Sequence, residues 1–525
     1  MHGVIKKPGR FLFGIGEKIL GLAFGSRLNP LHALGSLSFF MFWIVAVSGL
    51  YLYIFFDTSI NGAYQSIESL TVSQWYLGGV MRSLHRYASD AMVVLVFLHM
   101  LREYVYDRYR GARWYSWSTG FPLVWLMYAA GIGGYWLVWD ELAQYIATTT
   151  AEWFDWLPLY SEPMARNFMS QASIDDRLFS LLVFLHIGVP LFMLLGMWIH
   201  IERIANPASN PPRELAWGSL LALIVLSLFK PAVSQPPANL DISVTTLPID
   251  WFYLYFYPLI ERWSPGTVWA LLLGVSLLLA VLPWLPRKKD PPAARVDLSN
   301  CNGCKLCFDD CPYDAVTMVP RTDGLPYTEQ ALVDPDLCVA CGICAGACPT
   351  STPYRRKTAL VPGIDMPSLT ISSLRDQVLQ ASAALDGKSR VMVFSCEHGK
   401  RVTEAGVDTA VIELPCISAL PPSFIDFVLS RGHADGIYLS GCKDGACYHR
   451  FGIDWMSERL DRKRDPRLRQ RIPRQRIGCN WRRAPDLFYD SAESFRESLA
   501  GLESGIGSVE LSVHKGLPKD RGEAS

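Results

Sequence analysis

No cysteine occurs in the first 300 residues of this 525-residue chain, and all thirteen lie at or after Cys301. Disulfides and thiolate metal sites are therefore excluded from the N-terminal half and concentrated in the C-terminal half. A charge bias is also missing. Lys plus Arg and Asp plus Glu both total 49, so net charge gives no argument for nucleic acid or for an acidic ligand. No Gly-x-Gly-x-x-Gly turn after a strand, P-loop, molybdenum or nickel site, or nucleophile triad is present. The loop 57–79 has neither Lys nor Arg. The length exceeds what one hydrophobic core usually holds, so several domains are expected.

Long apolar runs are abundant before residue 286. They cover 34–56, 80–101, 120–139, 178–201, 215–229 and 268–285, the fifth falling short of the roughly 20 residues of a spanning helix. Arg102, Arg108, Arg110 and Arg113 follow the second run, Arg203 and Arg213 the fourth, and Arg287, Lys288 and Lys289 the sixth. Set against the cation-free loop 57–79, this asymmetry predicts six spans with both termini in the cytoplasm. Buried helices of a soluble protein are the alternative, and they leave the alternating loop charge unexplained. The start carries Lys6, Lys7 and Arg10. The run 11–24 behind it is broken by glycines and by Glu17-Lys18 and has no small-residue cleavage site, so it reads as an interfacial helix rather than a signal peptide.

Four of the ten histidines lie inside these runs: His85 and His99 in the second, His186 and His200 in the fourth. Each pair is fourteen residues apart, close to four helical turns, which places both rings on one helix face about 21 Å apart along the axis. A single histidine in a membrane helix is usually a hydrogen-bonded packing residue. Two helices with the same interval offer instead two His–His pairs, one near each membrane surface. Gly35 and Gly49 in the first run, and Gly120 and Gly134 in the third, repeat the interval. Glycine lets a macrocycle approach a backbone, although it also serves plain helix packing. Arg82 and Arg102 flank the second run where propionates would lie, or act as topology anchors.

These features carry a family likeness. Residues 30–285 resemble cytochrome b of the quinol-oxidising bc complexes, chiefly through Arg82-Ser83-Leu84-His85-Arg86 on to His99 and Arg102, and through Gly134-Tyr135 to Trp139-Asp140. The resemblance implies two haem b groups, one between His85 and His186 on the positive side, the other between His99 and His200 on the cytoplasmic side. The extra covalent haem of the plastid-type relatives has no cysteine to attach to. A homodimer through this domain is a further expectation. The segments Pro237-Ala238-Asn239 and Pro248-Ile249-Asp250-Trp251-Phe252-Tyr253 are similar to the Pro-Glu-Trp-Tyr loop of that family's positive-side quinol site. They differ from it by an inserted Ile249 and a shorter acid. The likeness implies catalytic roles for Asp250, Trp251 and Tyr253, the carboxylate accepting a proton beside an apolar slot. The plainer alternative is an interfacial aromatic belt with a snorkelling acid.

Beyond a basic, proline-rich linker at 286–295, Cys301-x2-Cys304-x2-Cys307-x3-Cys311-Pro312 recurs as Cys338-x2-Cys341-x2-Cys344-x3-Cys348-Pro349. Zinc sites could explain four cysteines but leave the duplicated eight-cysteine run unexplained. The spacing is that of bacterial two-cluster ferredoxins, in which the last cysteine of each run serves the other cluster. That implies one 4Fe-4S cluster on Cys301, Cys304, Cys307 and Cys348, and a second on Cys338, Cys341, Cys344 and Cys311. From residue 390, apolar runs of strand length at 391–394, 410–414 and 436–439 are each followed by a cysteine: Cys396, Cys416 and Cys442. Such cysteines converge at one edge of a parallel sheet. With Gly441-Cys442-x4-Cys447-Tyr448-His449, this segment resembles the delta subunit of methyl-viologen-reducing hydrogenases, which implies a 2Fe-2S domain using Cys396, Cys416, Cys442 and Cys447, with Cys479 spare. The first motif here has only Cys396 before Glu397-His398-Gly399. A redox-inert α/β domain with structural cysteines is the alternative.

The expected organisation is a multi-domain chain: an all-α six-helix transmembrane cytochrome b bundle at 1–290, an α+β two-cluster ferredoxin at 291–360, a small α/β 2Fe-2S domain at 385–500 and a tail at 501–525. The expected function is the membrane subunit of a quinone oxidoreductase in a bacterial or archaeal cytoplasmic membrane. Electrons would come from a cytoplasmic flavoprotein, formate dehydrogenase or hydrogenase, with no nucleic acid involved. Reverse flow, from quinol to a cytoplasmic acceptor, and a purely anchoring role are the rival readings.

Overall fold

The computed structural model describes residues 2–25, 27–159, 163, 175–204, 207–242, 246–285, 291–355, 360–399, 402 and 406–505. Arg287, Lys288, Lys289 and the tail beyond 505 lie outside the described residues. The chain divides into two compact units. The first is Met1–Pro291 with Pro312–Asp314 and Asp336–Val339, and the second is Pro292–Cys311, Ala315–Pro335 and Ala340–Ser525.

The first unit is helical: α1 His2–Phe24, α2 Leu34–Phe55, α3 Ala63–Val72, α4 Val80–Val105, α5 Trp114–Val138, α6 Glu141–Asp155, α7 Asp176–Ile201, α8 Arg213–Phe229, α9 Tyr257–Arg262 and α10 Pro265–Val281. Local chemistry sets several starts. Asp140 accepts from the Ala143 amide, Asp175 from Leu178, and Ser264 from Thr267 with Pro265 behind it. Helices α2, α5, α7 and α10 are apolar around their whole circumference, the pattern of a helix surrounded by apolar material on every side. Their outer surfaces stay exposed, as at Phe184, Phe192 and Trp198 on α7.

Four helices are long and apolar enough to cross a membrane: Leu34–Phe55, Trp114–Val138, Asp176–Ile201 and Pro265–Trp284. The other two expected spans also form helices but fall outside that set. Helix α4 carries Arg82, Arg86, Asp90, Arg102 and Glu103, and α8 has only 17 residues. Helix α1 is pinned to the end of α4: Arg10 donates to Asp107 at 2.6 Å and Arg102 to Glu17 at 3.0 Å. Phe11, Leu12, Ile19 and Leu22 of α1 remain exposed, an apolar face that suits the interfacial reading.

In the second unit, two small antiparallel pairs form first: β1 Arg295–Val296 with β4 Ile364–Asp365, and β2 Val316–Pro320 with β3 Glu329–Val333. Short helices α11 Leu306–Asp309 and α12 Ile343–Ala347 lie between. Then α13 Ile371–Ala384 leads into a four-stranded parallel sheet of β5 Val391–Cys396, β6 Thr409–Leu414, β7 Gly436–Ser440 and β8 Ile477–Cys479, ordered β6-β5-β7-β8. Helices α14 Pro422–Ser430, α15 Gly452–Leu460 and α16 Ala492–Gly505 complete it. Central β5 is buried at every position, the continuous apolar run typical of a strand covered on both faces. Strand β8 is too short to read from sequence; its partner β7 defines it. A Cβ on Gly436 or Gly478 would collide with the Phe495 side chain of α16, so these two glycines make room for that ring against the sheet.

Trp481, fully buried after β8, donates from Nε1 to Ser457 Oγ at 2.8 Å and packs over Gly441. Trp481→Ala is expected to destabilise this unit by about 3–5 kcal/mol, checked by thermal unfolding of the purified chain. A loss below about 1 kcal/mol would show that the site is not part of a close-packed core.

Candidate redox centres

The long helices pack in pairs, α2 along α4 and α5 along α7, and within each pair the glycines face the histidines. A Cβ on Gly49 would lie 2.8 Å from His85 Cε1, and one on Gly35 3.4 Å from His99 Cε1. Across the other pair, Gly134 meets His186 and Gly120 meets His200, both at 2.9 Å. The order reverses along each pair because the helices run antiparallel. Two levels result, one with Gly49, His85, His186 and Gly134, the other with Gly35, His99, His200 and Gly120.

At the first level the rings of His85 and His186 have centroids 6.2 Å apart at 62°. Two imidazoles bound to one metal by bonds of about 2 Å have a separation of roughly that size. His85 Nδ1 lies 2.9 Å from the Val45 carbonyl and His186 Nδ1 3.0 Å from the Ala130 carbonyl. A carbonyl only accepts, so each Nδ1 carries the proton and each Nε2 keeps its lone pair, the state a metal-binding imidazole needs. At the second level His200 Nδ1 is 3.3 Å from Thr119 Oγ1, and the His99 and His200 rings are near enough to interact electrostatically. The residues fit a bis-imidazole porphyrin at both levels.

The two arginines expected beside propionates are turned to protein partners. Arg82 donates to Glu68 at 3.1 Å and to Ser234 at 2.6 Å, and Arg102 is buried against Glu17. Ser234 and Glu17 lie far along the chain from their arginines and could not be inferred from sequence; Glu68 is nearer, on α3 before α4.

Asp250 is 4% exposed at its side chain, bonded by Tyr135 Oη, ion-paired with Arg86 at 3.0 Å and accepting from the Phe252 amide at 2.8 Å. Arg86 also reaches Asp90 at 3.2 Å and stacks on Tyr135 at 4.5 Å. Sequence reasoning missed Arg86, Asp90 and Tyr135; charges inside an apolar run are the signal that points to them. Tyr253 is buried in the bundle core over Gly131, its hydroxyl donating to the Ser89 carbonyl at 3.2 Å, while Trp251 is 69% exposed. The missing side chain at Gly131 is what admits the Tyr253 ring.

In the second unit Cys301, Cys304, Cys307 and Cys348 line one pocket. Burial, then the nearby thiols of Cys348, Cys304 and Cys301, push the Cys307 thiol up to about 12. The two cysteine runs also share a backbone shape. Gly303 and Ala340 have φ of +65° and +56°, and Lys305 and Gly342 +67° and +76°. Left-handed residues on either side of Cys304 and Cys341 turn successive amides inward, the kind of nest that receives an anionic sulfur centre. Two of the four are not glycine, a strain that marks a functional turn. Cys311 accepts from the Ala315 amide at 3.2 Å, and Cys341 and Cys344 are buried; Cys338, which falls in the first unit, is half-buried.

Cys396 ends β5, and its Sγ lies 3.9 Å from that of Cys442, just past β7. A Cβ on Gly452 would lie 2.4 Å from Cys416 Sγ and 3.4 Å from Cys447 Sγ. Cys416 is driven well above the ordinary thiol range by burial first, then by Cys447, Cys341 and Cys442. These four gather at the carboxyl ends of β5, β6 and β7, where the strand order switches direction. Cys479, at the end of β8, points its thiol at the Trp481 carbonyl, 3.5 Å away. Among the described residues no three His, Cys, Asp or Glu side chains converge on a point that suits a single metal ion; a multi-atom cluster spaces its ligands more widely.

Comparison with known proteins follows the same three segments. Residues 19–207 match the family model "Cytochrome b/b6/petB", 300–352 "4Fe-4S dicluster domain" and 391–503 "Methyl-viologen-reducing hydrogenase, delta subunit". Cytochrome b of Rhodospirillum rubrum is 26% identical over 292 residues, covering 50% of this chain and 72% of that protein. Cytochrome b6 of Heliobacterium mobile is 27% identical over 186 residues, covering 34% and 87%. A solved chain titled "Hyperthermophilic respiratory Complex III" aligns with a TM-score of 0.40 at 21% identity, covering 49% of this chain and 75% of that one. In class, then, the chain is a membrane electron-transfer protein: a helical cytochrome b-like part joined to a 4Fe-4S segment and a small α/β segment similar to a hydrogenase delta subunit.

The glycine spacing yields a direct test. Gly134→Leu drives a side chain into the His186 ring and is expected to abolish the b-type absorbance of one level, checked by low-temperature optical spectra of the purified chain. Gly188→Leu on the same bundle, where an added Cβ meets nothing within 4 Å, should leave both levels intact. Two unchanged haem bands in Gly134→Leu would contradict the assignment.

Proposed function

We propose that the chain is the membrane subunit of a quinone oxidoreductase complex, taking electrons from a soluble cytoplasmic oxidoreductase and delivering them to membrane quinone. The observation that carries this reading is the coincidence, in one chain, of two histidine levels facing bare backbone and grouped cysteines at turn and strand ends. His85 with His186, and His99 with His200, would hold two haem b groups. Cys301, Cys304, Cys307 and Cys348 would hold one 4Fe-4S cluster, and Cys338, Cys341, Cys344 and Cys311 a second. Cys396, Cys416, Cys442 and Cys447 would hold a 2Fe-2S cluster. Bound there, these groups supply one-electron transfer at potentials tuned by charge, hydrogen bonding and exposure.

Helices α2, α4, α5, α7, α8 and α10 are all read as spans, with both termini cytoplasmic. Arg102 in the last turn of α4 and Arg108, Arg110 and Arg113 after it, against a loop without cations before it, support that orientation. Charges within α4 are tolerated because they are paired inside the bundle, as Arg82 is with Glu68 and Arg86 with Asp90. A soluble partner of flavoprotein, formate dehydrogenase or hydrogenase type suits the α/β segment, since that segment resembles a subunit named for a hydrogenase.

Quinone reduction consumes one proton per electron, so a proton-carrying group must stand beside the site. Asp250 is that group in this reading: Arg86 and Tyr135 hold its carboxylate still, and Phe252 N–H fixes its other oxygen. On the positive side, delivery from the cytoplasm moves negative charge down the membrane potential, worth about 2.3 kcal/mol per charge per 100 mV. Asp250→Asn keeps size but carries no proton. Haem reduction by reduced viologen should persist in this variant while turnover of a quinone analogue falls by about 10²-fold or more. Unchanged quinone turnover would remove Asp250 from the reaction.

A further inference from the structure

Within the second unit, the turn after Cys416 and the helix that follows Cys341 meet around a buried charge. Arg459 of α15 has no exposed surface. Its guanidinium donates to Asp310 Oδ2 at 2.5 Å, to the Ser418 carbonyl at 2.9 Å and to Ser418 Oγ at 3.1 Å. Asp310 immediately precedes Cys311, and Ser418 follows Cys416 by two residues. Arg464 donates to the other oxygen of Asp310, Oδ1, at 2.8 and 2.5 Å. The backbones here touch without side chains between them. A Cβ on Gly346 would lie 2.1 Å from the Ser418 carbonyl oxygen, and one on Gly342 2.9 Å from Ala419 Cβ. Cys416 and Cys341 are near enough for their charges to interact.

Burying a guanidinium is costly, and an apolar side chain of similar volume would often stabilise such a junction as well or better. The charge therefore calls for a reason beyond adhesion. Asp310 is shared by Arg459 and Arg464, and Arg464 also reaches Glu458 at 3.2 Å, so the network is charge-paired and Arg459 is the cation that faces Ser418 beside Cys416; removing it leaves Asp310 under-compensated next to Cys311. A thiolate-ligated iron-sulfur centre becomes more negative by one charge when reduced, and nearby positive charge and hydrogen bonds raise its potential.

We infer that Arg459 is a positioning residue that locks the Cys416 turn against the Cys341 turn and raises the reduction potential at both, making them adjacent stations of one rigid relay. The inference rests on the reading above that both turns hold clusters. The step it serves is balanced simply: one electron leaves the reduced centre at Cys416 and reduces the oxidised centre at Cys341, with no bond broken and no proton moved.

The test is an anaerobic redox titration of the full purified chain followed by electron paramagnetic resonance, which reads potentials and spin–spin broadening independently of turnover. Arg459→Met should keep both signals and lower at least one of the two reduction equilibria about tenfold, or about 59 mV for a one-electron couple. Arg467→Met, a change at an exposed residue paired within its own loop to Asp465, should titrate like the parent. Parent-like potentials in Arg459→Met would overturn the inference. Should that variant lose its signals, Arg459→Lys decides. It keeps the charge but not the planar fork, so parent-like potentials with weakened broadening uphold the positioning role, and unchanged broadening overturns it. A parent chain lacking the 2Fe-2S signal would instead sink the cluster reading itself, a failure distinct from the others.

Discussion

Four times in the helical unit a histidine ring presses on a neighbouring helix at a residue with no side chain. Any larger residue at Gly49, Gly120 or Gly134 would stand within 3 Å of an imidazole carbon, and close-packed interiors do not absorb such overlaps without displacement. Much of the bundle follows from keeping those approaches open. Helices α2 and α4, and α5 and α7, must run antiparallel at fixed register so that both glycines of a pair meet both histidines. His85 and His186 are then brought to 6.2 Å, and the Val45 and Ala130 carbonyls, pulled close by the same contact, fix the protonation of the rings. The backbone approach and the ligand chemistry are one arrangement.

The second unit meets the same demand by other means. Its cysteines are gathered by turns and strand ends instead of by helix faces. Left-handed residues beside Cys304 and Cys341 do so in one part, and the switch in strand order at the carboxyl edge of β5, β6 and β7 does so in the other. The parts meet at a buried charge network of Asp310, Arg459 and Arg464 as well as at close backbone and ring contacts. Such a network is geometrically demanding, since removing one partner leaves the other charge uncompensated.

What was legible in the sequence was whatever depends on local period. Fourteen-residue intervals survive folding because helix pitch is local, so the His and Gly positions could be read and paired. The three longer strands of the α/β segment and their trailing cysteines were visible for the same reason. Contacts between residues far apart in sequence were not visible. Arg82 and Arg102 stand where propionate partners were expected, but Glu68, Ser234 and Glu17 fold back onto them. Tyr253 is taken into the core because Gly131, more than a hundred residues earlier, makes room for its ring. Strand β8 has three residues and exists only through β7. Arg459 sits in an unremarkable stretch of charged residues and acquires its surroundings from Asp310 and Ser418.

The central claim is that one chain carries haem and iron-sulfur centres together. It is tested most directly by measuring protohaem and acid-labile sulfide per chain in the same anaerobically purified sample. The account predicts about two haem b and about ten sulfides per chain, the sum of two 4Fe-4S clusters and one 2Fe-2S cluster. A single haem, or haem with no labile sulfide, would contradict it.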